Sequence, residues 1–248
     1  SKRGREALSS HLKKREPLSI LKTLLALLLI ALCVWAAQWQ YHRGVDRHAR
    51  NSFIEVNSAK DSVPLTDVVG NPAQFEWQPV RVTGRFDPAT QILLRNRYSE
   101  GVYGFELLTR FTSTDGQKFW IDRGWVKAGA SATIRPELPR ITTDSVEIVG
   151  RLRLDSSLPR GSFFAIPSNS SEGLIAKANA QSGSASEKFY LDLINGSTSD
   201  LRPAVAAELP ELSDGPHMAY ALQWIFFAAL VIYGRILIRR DVLSVKEL

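Results

Sequence analysis

One cysteine, one methionine and four histidines in 248 residues rule out much chemistry before any motif is sought. A zinc site needs Cys and His clustered at ligand spacing, and no such spacing occurs. Copper transfer favours soft thiolates and thioethers, for which only Cys33 and Met218 are available. A lone cysteine builds no disulfide framework and says little about redox compartment. The chain also lacks a G-x-S-x-G elbow, a phosphate loop and a dinucleotide fingerprint. Outside the basic N-terminal tail the histidines are His42, His48 and His217, too few for a hydrolytic constellation. These absences predict a protein that is not an enzyme. A formal charge of +6 and a pI near 9.5 suit nucleic acid in principle. The middle of the chain, however, has no basic patch interleaved with aromatics, so no nucleic-acid partner is expected.

What the chain does have is two long uncharged runs. Residues 23–41, TLLALLLIALCVWAAQWQY, and residues 218–234, MAYALQWIFFAALVIYG, carry no formal charge. As helices, runs of this length approach the roughly 30 Å hydrocarbon thickness of a bilayer. Arg235 can snorkel while Ile236, Leu237 and Ile238 extend the second span. The excess positive charge sits outside the runs. Residues 1–17 hold six basic against two acidic side chains, and residues 235–248 hold four against two. Basic flanks at both ends predict two cytoplasmic termini and an exported middle. The expected division is a basic tail at 1–17, a transmembrane helix at 18–42 and an exported β domain at 43–215. A second transmembrane helix at 216–238 and a tail at 239–248 complete it. VWAAQ loosely resembles a signal-cleavage site. The first run is longer than a signal core, and Trp35 and Trp39 suit an interfacial anchor, so an uncleaved anchor is expected. A two-helix sensor would need a cytoplasmic output domain, and the 14 residues after Gly234 are too few for one.

Within the exported portion, the start of HRGVDRHARNSFIEVNSAKD continues the first helix for a turn or two. Six alternating stretches rich in β-formers follow: QPVRVTGRFD, QILLRNRY, GFELLTRFTS, KFWIDRGWV, SVEIVGRLRL and KFYLDLI. TSTDGQKFW, residues 112–120, reads as a hairpin turn. SEGLIAKANAQ, residues 171–181, is a helical pattern with a Ser cap, and residues 182–186 read as a flexible loop. The predicted fold class is membrane α plus all-β. Two transmembrane helices flank an exported, mostly antiparallel, β-barrel-like domain with one short helix.

Two strand ends stand out. IDRGWV, residues 121–126, sets Asp122, Arg123 and Trp125 around Gly124, where a bulge can re-aim side chains. It reads equally as an Asp–Arg pair beside a packed Trp. RNRY with the GVYGFEL turn reads as a basic strand end or a solvated hairpin. On the second membrane helix Pro216 suits the first position, with Ser213 or Asp214 as cap. His217, Tyr220, Trp224, Phe227 and Val231 then share one face. Trp35, Trp39 and His42 share a face of the first helix and end at the same membrane surface. One reading is an aromatic belt with a solvated histidine. The other is a flat, apolar, metal-bearing ligand held by imidazole, packed by aromatic faces and charge-paired by arginine.

WQYHR, VTGRF, RNR, YGFELLT, DRGWV and GPHMAYALQW occur in that order. This series resembles the surfeit-locus-one (Shy) family, membrane assembly factors of haem–copper cytochrome c oxidase. The resemblance covers essentially the whole chain, although residues 161–186 match poorly. It implies a role in biogenesis of the oxidase's catalytic subunit, with binding and delivery of haem a. By that pattern His217 corresponds to the proposed haem ligand, Tyr220 and Trp224 to the run after it, and Arg123, Gly124 and Trp125 to an arginine–glycine–tryptophan stretch. Trp39, Gln40 and Arg43 match the end of the first helix. His42 falls at a position variable in the family, so its candidacy as a second ligand comes from this sequence alone. The expected cargo is haem a, with propionates facing Arg43 or Arg123. The expected partners are the oxidase's catalytic subunit, the enzymes that make haem a, and the lipid bilayer. A haem-free accessory protein docking on the oxidase is the alternative. With no transit-peptide pattern ahead of the first run, a bacterial plasma membrane is the expected location.

Overall fold

The computed structural model describes residues 16–131, 133–155 and 174–244. In chain order the elements are α1 (Ser19–Ser58), β1 (Val63–Pro64), β2 (Pro79–Ser99), β3 (Val102–Ser113) and β4 (Lys118–Lys127). They continue with β5 (Val146–Leu154), α2 (Leu174–Ser182), β6 (Phe189–Gly196) and α3 (His217–Ser244). The chain forms two compact units, Ser1–Asn51 with Leu212–Leu248, and Ser52–Glu211.

The first unit is a hairpin of α1 and α3. Leu and Ala dominate the start of α1, and no proline interrupts it, so helix is the favoured state along its whole length. Contacts at both ends fix the helices antiparallel. Gln40 meets His217 at the head of α3, while Arg235, far along α3, bonds Glu16 at 2.9 and 3.1 Å and Thr23 at 3.0 Å. Arg235 is therefore an ion-paired residue rather than a free snorkelling one. Between these ends, small side chains face inward: Ala26, Cys33 and Ala37 on α1 and Ala228 on α3 are all buried. Leu24, Leu27, Leu28, Leu222 and Phe226 point outward and are more than half exposed. A polar-ended, small-cored hairpin with an apolar exterior suits lipid, where packing and a few hydrogen bonds hold helices together. Both helices are long and apolar enough to cross a bilayer. At 40 residues, α1 rises about 60 Å. It runs 16 residues past the expected boundary at 42, well beyond a turn or two. Its last residues belong to the second unit, where Ile54 is buried and the Asn57 amide donates to the Gln74 and Glu76 carbonyls.

The second unit is a closed sheet. Its strand order is β1-β2-β3-β4-β6-β5, and β5 pairs back onto β2. Pairing is antiparallel except for β1 with β2 and β4 with β6. Closure gives each of β2–β6 a strand partner on both sides over part of its length. The β3–β4 hairpin forms as expected, with the Ser113 hydroxyl bonded to Gln117. The stretches at 78–87 and 91–98 are not two strands. They are one, β2, with a register shift between Asp87 and Gln91. The Asp87 carboxylate accepts from Ala89 N and Thr90 Oγ1, which absorbs the irregularity without ending the strand. Alternate residues from all five long strands fill the barrel, among them Val80, Phe111, Phe119, Ile148 and Leu191. The other face of the sheet carries a second cluster in which Trp120 and Tyr190 pack with Ile175 and Ala178 of α2. Trp120 Nε1 donates to Asn179 Oδ1 at 3.1 Å. The expected Ser cap of α2 lies outside the described residues. In the described part, Asp155 Oδ1 accepts from Ile175 N, close to the start of α2. Nor is the loop after α2 loose, since Arg110 donates to Ser184 Oγ and the Ala185 carbonyl.

Candidate functional site

The head of α3 is gripped by one face of α1. Gln40, Gly44, Arg47, His48 and Asn51 lie at helical spacing along that face. Gln40 Oε1 lies 2.9 Å from His217 Nδ1. At Gly44 an added Cβ would stand 3.0 Å from Met218 Cε and 3.3 Å from His217 Cβ, so a side chain there would press on both residues. His48 Nδ1 meets Asp214 Oδ2 at 2.8 Å, and Asn51 Nδ2 donates to Asp214 Oδ1 at 3.0 Å. The His48 hydrogen bond, with Asn51 beside it, holds the Asp214 carboxyl below its ordinary value. Asp214 thus faces α1 instead of capping α3. Ser213 stays nearer the expected role, its hydroxyl accepting from Gly215 N. Pro216 O accepts the first α3 hydrogen bond, from Tyr220 N. These contacts hold the His217 ring half-buried and fixed at one nitrogen.

The expected aromatic residues split between the two faces. His217, Trp224 and Val231 turn partly inward, and Tyr220 and Phe227 are exposed. Trp224 meets Phe227 edge to face at 5.6 Å. On α1, Trp35, Trp39 and His42 are exposed. Arg43 sits over the Trp39 ring at 5.2 Å, and His42 packs edge-on against Tyr41 at 5.8 Å. The α1 residue that reaches His217 is therefore Gln40, one position along the helix from the expected tryptophan face. His42 makes no described contact with the His217 ring. Gln40, Gly44, Arg47, His48 and Asn51, at i, i+4, i+7, i+8 and i+11, carry the sequence signal for this face, and of these the resemblance marks only Gln40.

Arg123 and Trp125 belong to the barrel unit. A register shift puts one extra β4 residue at Arg123–Gly124. Gly124 has a φ of +96°, and a Cβ there would run into the Val205 carbonyl. The glycine bulge is thus as the sequence predicts, but the Asp122–Arg123 pair is not. Neighbours along a strand take opposite faces. Arg123 donates to Gln91 Oε1 at 3.0 Å, Thr109 Oγ1 at 3.3 Å, and the carbonyls of Pro139 at 2.7 Å and Arg140 at 3.3 Å. Burial pushes its pKa down to about 10. Trp125 Nε1 donates to the Arg97 carbonyl, and Trp125 N to the Val205 carbonyl.

On the other face Asp122 joins a cluster that the sequence did not announce. Its carboxyl hydrogen-bonds Glu106 and accepts from Gly124 N at 2.8 Å. Burial, then the Glu106 charge, pushes Asp122 well above its ordinary value, and burial also raises Glu106. Asp192, 1% exposed, pairs with Arg153 at 2.7 Å, and Arg153 lies 3.9 Å from the centre of the Trp77 ring. Burial raises the Asp192 carboxyl while Arg153 opposes it. Glu106, Asp122, Arg153, Arg97 and Trp125 line a cavity of about 230 Å³ bordered by residues 205–208. Among the described residues, Glu106 Oε2 meets no donor.

Comparison with known proteins gives one consistent answer. The model of the SURF1 family matches residues 27–229. An uncharacterized SURF1-like protein of Mycobacterium bovis is 29% identical over 226 residues, covering 85% of this chain and 80% of that protein. A counterpart from Mycobacterium tuberculosis matches to the same extent. A SURF1-like protein of Rickettsia felis is 24% identical over 230 residues, covering 90% of this chain and 98% of its own.

Proposed function

Because this chain belongs to the SURF1 family, known as cytochrome oxidase assembly factors, we propose that it serves assembly of haem–copper cytochrome c oxidase by binding haem a. In this reading it passes haem a to the catalytic subunit, working beside the enzymes that make the haem. His217 is the iron ligand. The observation that carries the reading is the His217–Gln40 contact, which engages one ring nitrogen and leaves Nε2 for a metal. The chemistry of the surroundings fits a large, flat, partly apolar cargo. Tyr220 stands one turn from His217 and is exposed, Trp39 offers an open indole, and Arg43 supplies a cation for a propionate. Arg123, already donating to four protein oxygens, we assign to holding the β4 bulge. Apolar helix surfaces shelter the isoprenoid tail from water, and a single axial imidazole keeps the bond exchangeable, as delivery requires. The basic flanks support a reading with both termini in the cytoplasm and the barrel on the far side of a bacterial plasma membrane.

A second reading rests on a different observation. Leu222, Ile225 and Phe226 form an open apolar face on α3, which suits docking on oxidase helices without haem. Purification from cells that make haem a separates the two. The first reading expects haem a in the isolated protein, in proportion to protein. Oxidase subunits that copurify with a haem-free protein would replace it with the second.

A further inference from the structure

We propose that Gln40 is a positioning residue that sets the tautomer of His217. The inference deepens the haem reading above and rests on it. An amide oxygen has no proton to give. A 2.9 Å contact between Gln40 Oε1 and His217 Nδ1 is therefore a hydrogen bond only when Nδ1 carries the proton. The neutral ring then has its lone pair on Nε2, the nitrogen that Gln40 does not touch. Free imidazole side chains in water do not hold this form; a fixed acceptor has to impose it. Metal-ligating histidines are ordinarily oriented in this way, by a second partner on the ring nitrogen that the metal leaves alone.

The surroundings make Gln40 suited to the task. It lies on the α1 face that meets α3, three residues after buried Ala37 and four before buried Gly44. Gly44 brings the α1 backbone against the Cβ of His217, so the imidazole has little freedom to swing away. Asp214, held by His48 and Asn51, fixes the chain three residues before the ring. The backbone is anchored on one side of His217 and its ring on the other. A helix-to-helix hydrogen bond would also serve to join α1 and α3, and that role alone needs neither nitrogen in particular.

The test is made on the full chain in lipid nanodiscs, labelled with ¹⁵N-histidine, without haem and at a pH where the ring is neutral. The His217 signal is assigned by its loss in His217→Ala. The expected result is a protonated Nδ1 and an unprotonated Nε2 in the wild type and in Gln40→Glu, which keeps an acceptor. Gln40→Leu, of similar size and without an acceptor, is expected to lose that preference. Titration with haem a then reads affinity, with a ten- to hundredfold loss expected in Gln40→Leu and not in Gln40→Glu. A wild-type His217 protonated on Nε2 overturns the inference, as does a Gln40→Leu protein with unchanged tautomer and affinity. A wild-type protein that takes up no haem at all overturns the proposed function itself, and the two failures are told apart by the haem-free spectrum.

Discussion

The barrel hides its charges and the hairpin displays its grease. In the barrel, Asp122, Asp192 and Arg153 are buried, with Arg153 against the Trp77 ring and paired to Asp192. In the hairpin, leucines and phenylalanines face outward, and the polar contacts gather at the two ends, Gln40 with His217 and Arg235 with Glu16. The contrast teaches where each unit keeps its specificity. A water-soluble fold can use a large apolar core for stability and accept a few costly buried charges. A helix pair in lipid gains little from apolar contact, so small residues and single hydrogen bonds decide its register. Substitutions in the barrel should therefore be read as stability, and substitutions at the head of α3 as site geometry.

The sharpest way to break this contrast is Arg153→Met. Losing the guanidinium strands Asp192 as an unpaired buried charge, and about 3–5 kcal/mol of barrel stability should go with it. Denaturant unfolding of the full chain in detergent measures this, and a loss below about 1 kcal/mol would mean that the pair is not buried as described. Next is Gly44→Val, which crowds Met218 and His217. Overpacking of this kind costs about 1–3 kcal/mol, here expressed as weakened haem uptake with an unchanged barrel melting transition. A lowered barrel transition would erase the division between the units.

A pH series sharpens the barrel half. The folded state holds the Asp122 proton above the ordinary carboxylate value of 3.8, so it binds more protons than the unfolded chain across that window. Stability from this group is greatest in acid and falls as pH rises from about 4 toward the raised folded value, by at most about 1.4 kcal/mol per pH unit. Asp122→Asn should flatten the slope, and an identical slope in both proteins would remove Asp122 from the effect. The smallest change is expected for Asp214→Asn, since the His48–Asp214 pair is exposed. Its melting transition should match the wild type, with any effect confined to the His217 ring signal.

Much of the fold was legible because alternation and hydropathy are local. Both membrane-length helices, the strand-rich middle, the β3–β4 turn and the Gly124 bulge follow from patterns within about ten residues. The exceptions are where local patterns conflict with longer pairing. Asp87-Pro88 looks like the end of a strand, yet Asp87 absorbs the irregularity and β2 continues. Asp122 and Arg123 look like an ion pair in sequence, but the pleat sends them apart. At the candidate site, His217 and Gln40 each fall in a motif of the resemblance, but no local pattern pairs the two. Gln40 touches His217 across 177 positions of sequence, and only the packing of α1 on α3 reveals which face of α1 is turned inward. Trp39 and His42, chosen for their aromatic chemistry, lie on the exposed side.

The most direct test of the account is the visible absorption spectrum of the full-length protein purified from cells that make haem a, beside His217→Ala prepared in the same way. A haem a spectrum is expected in the wild type and its loss in the variant, with both proteins retaining the same barrel melting transition. A haem a spectrum that survives in His217→Ala would contradict it.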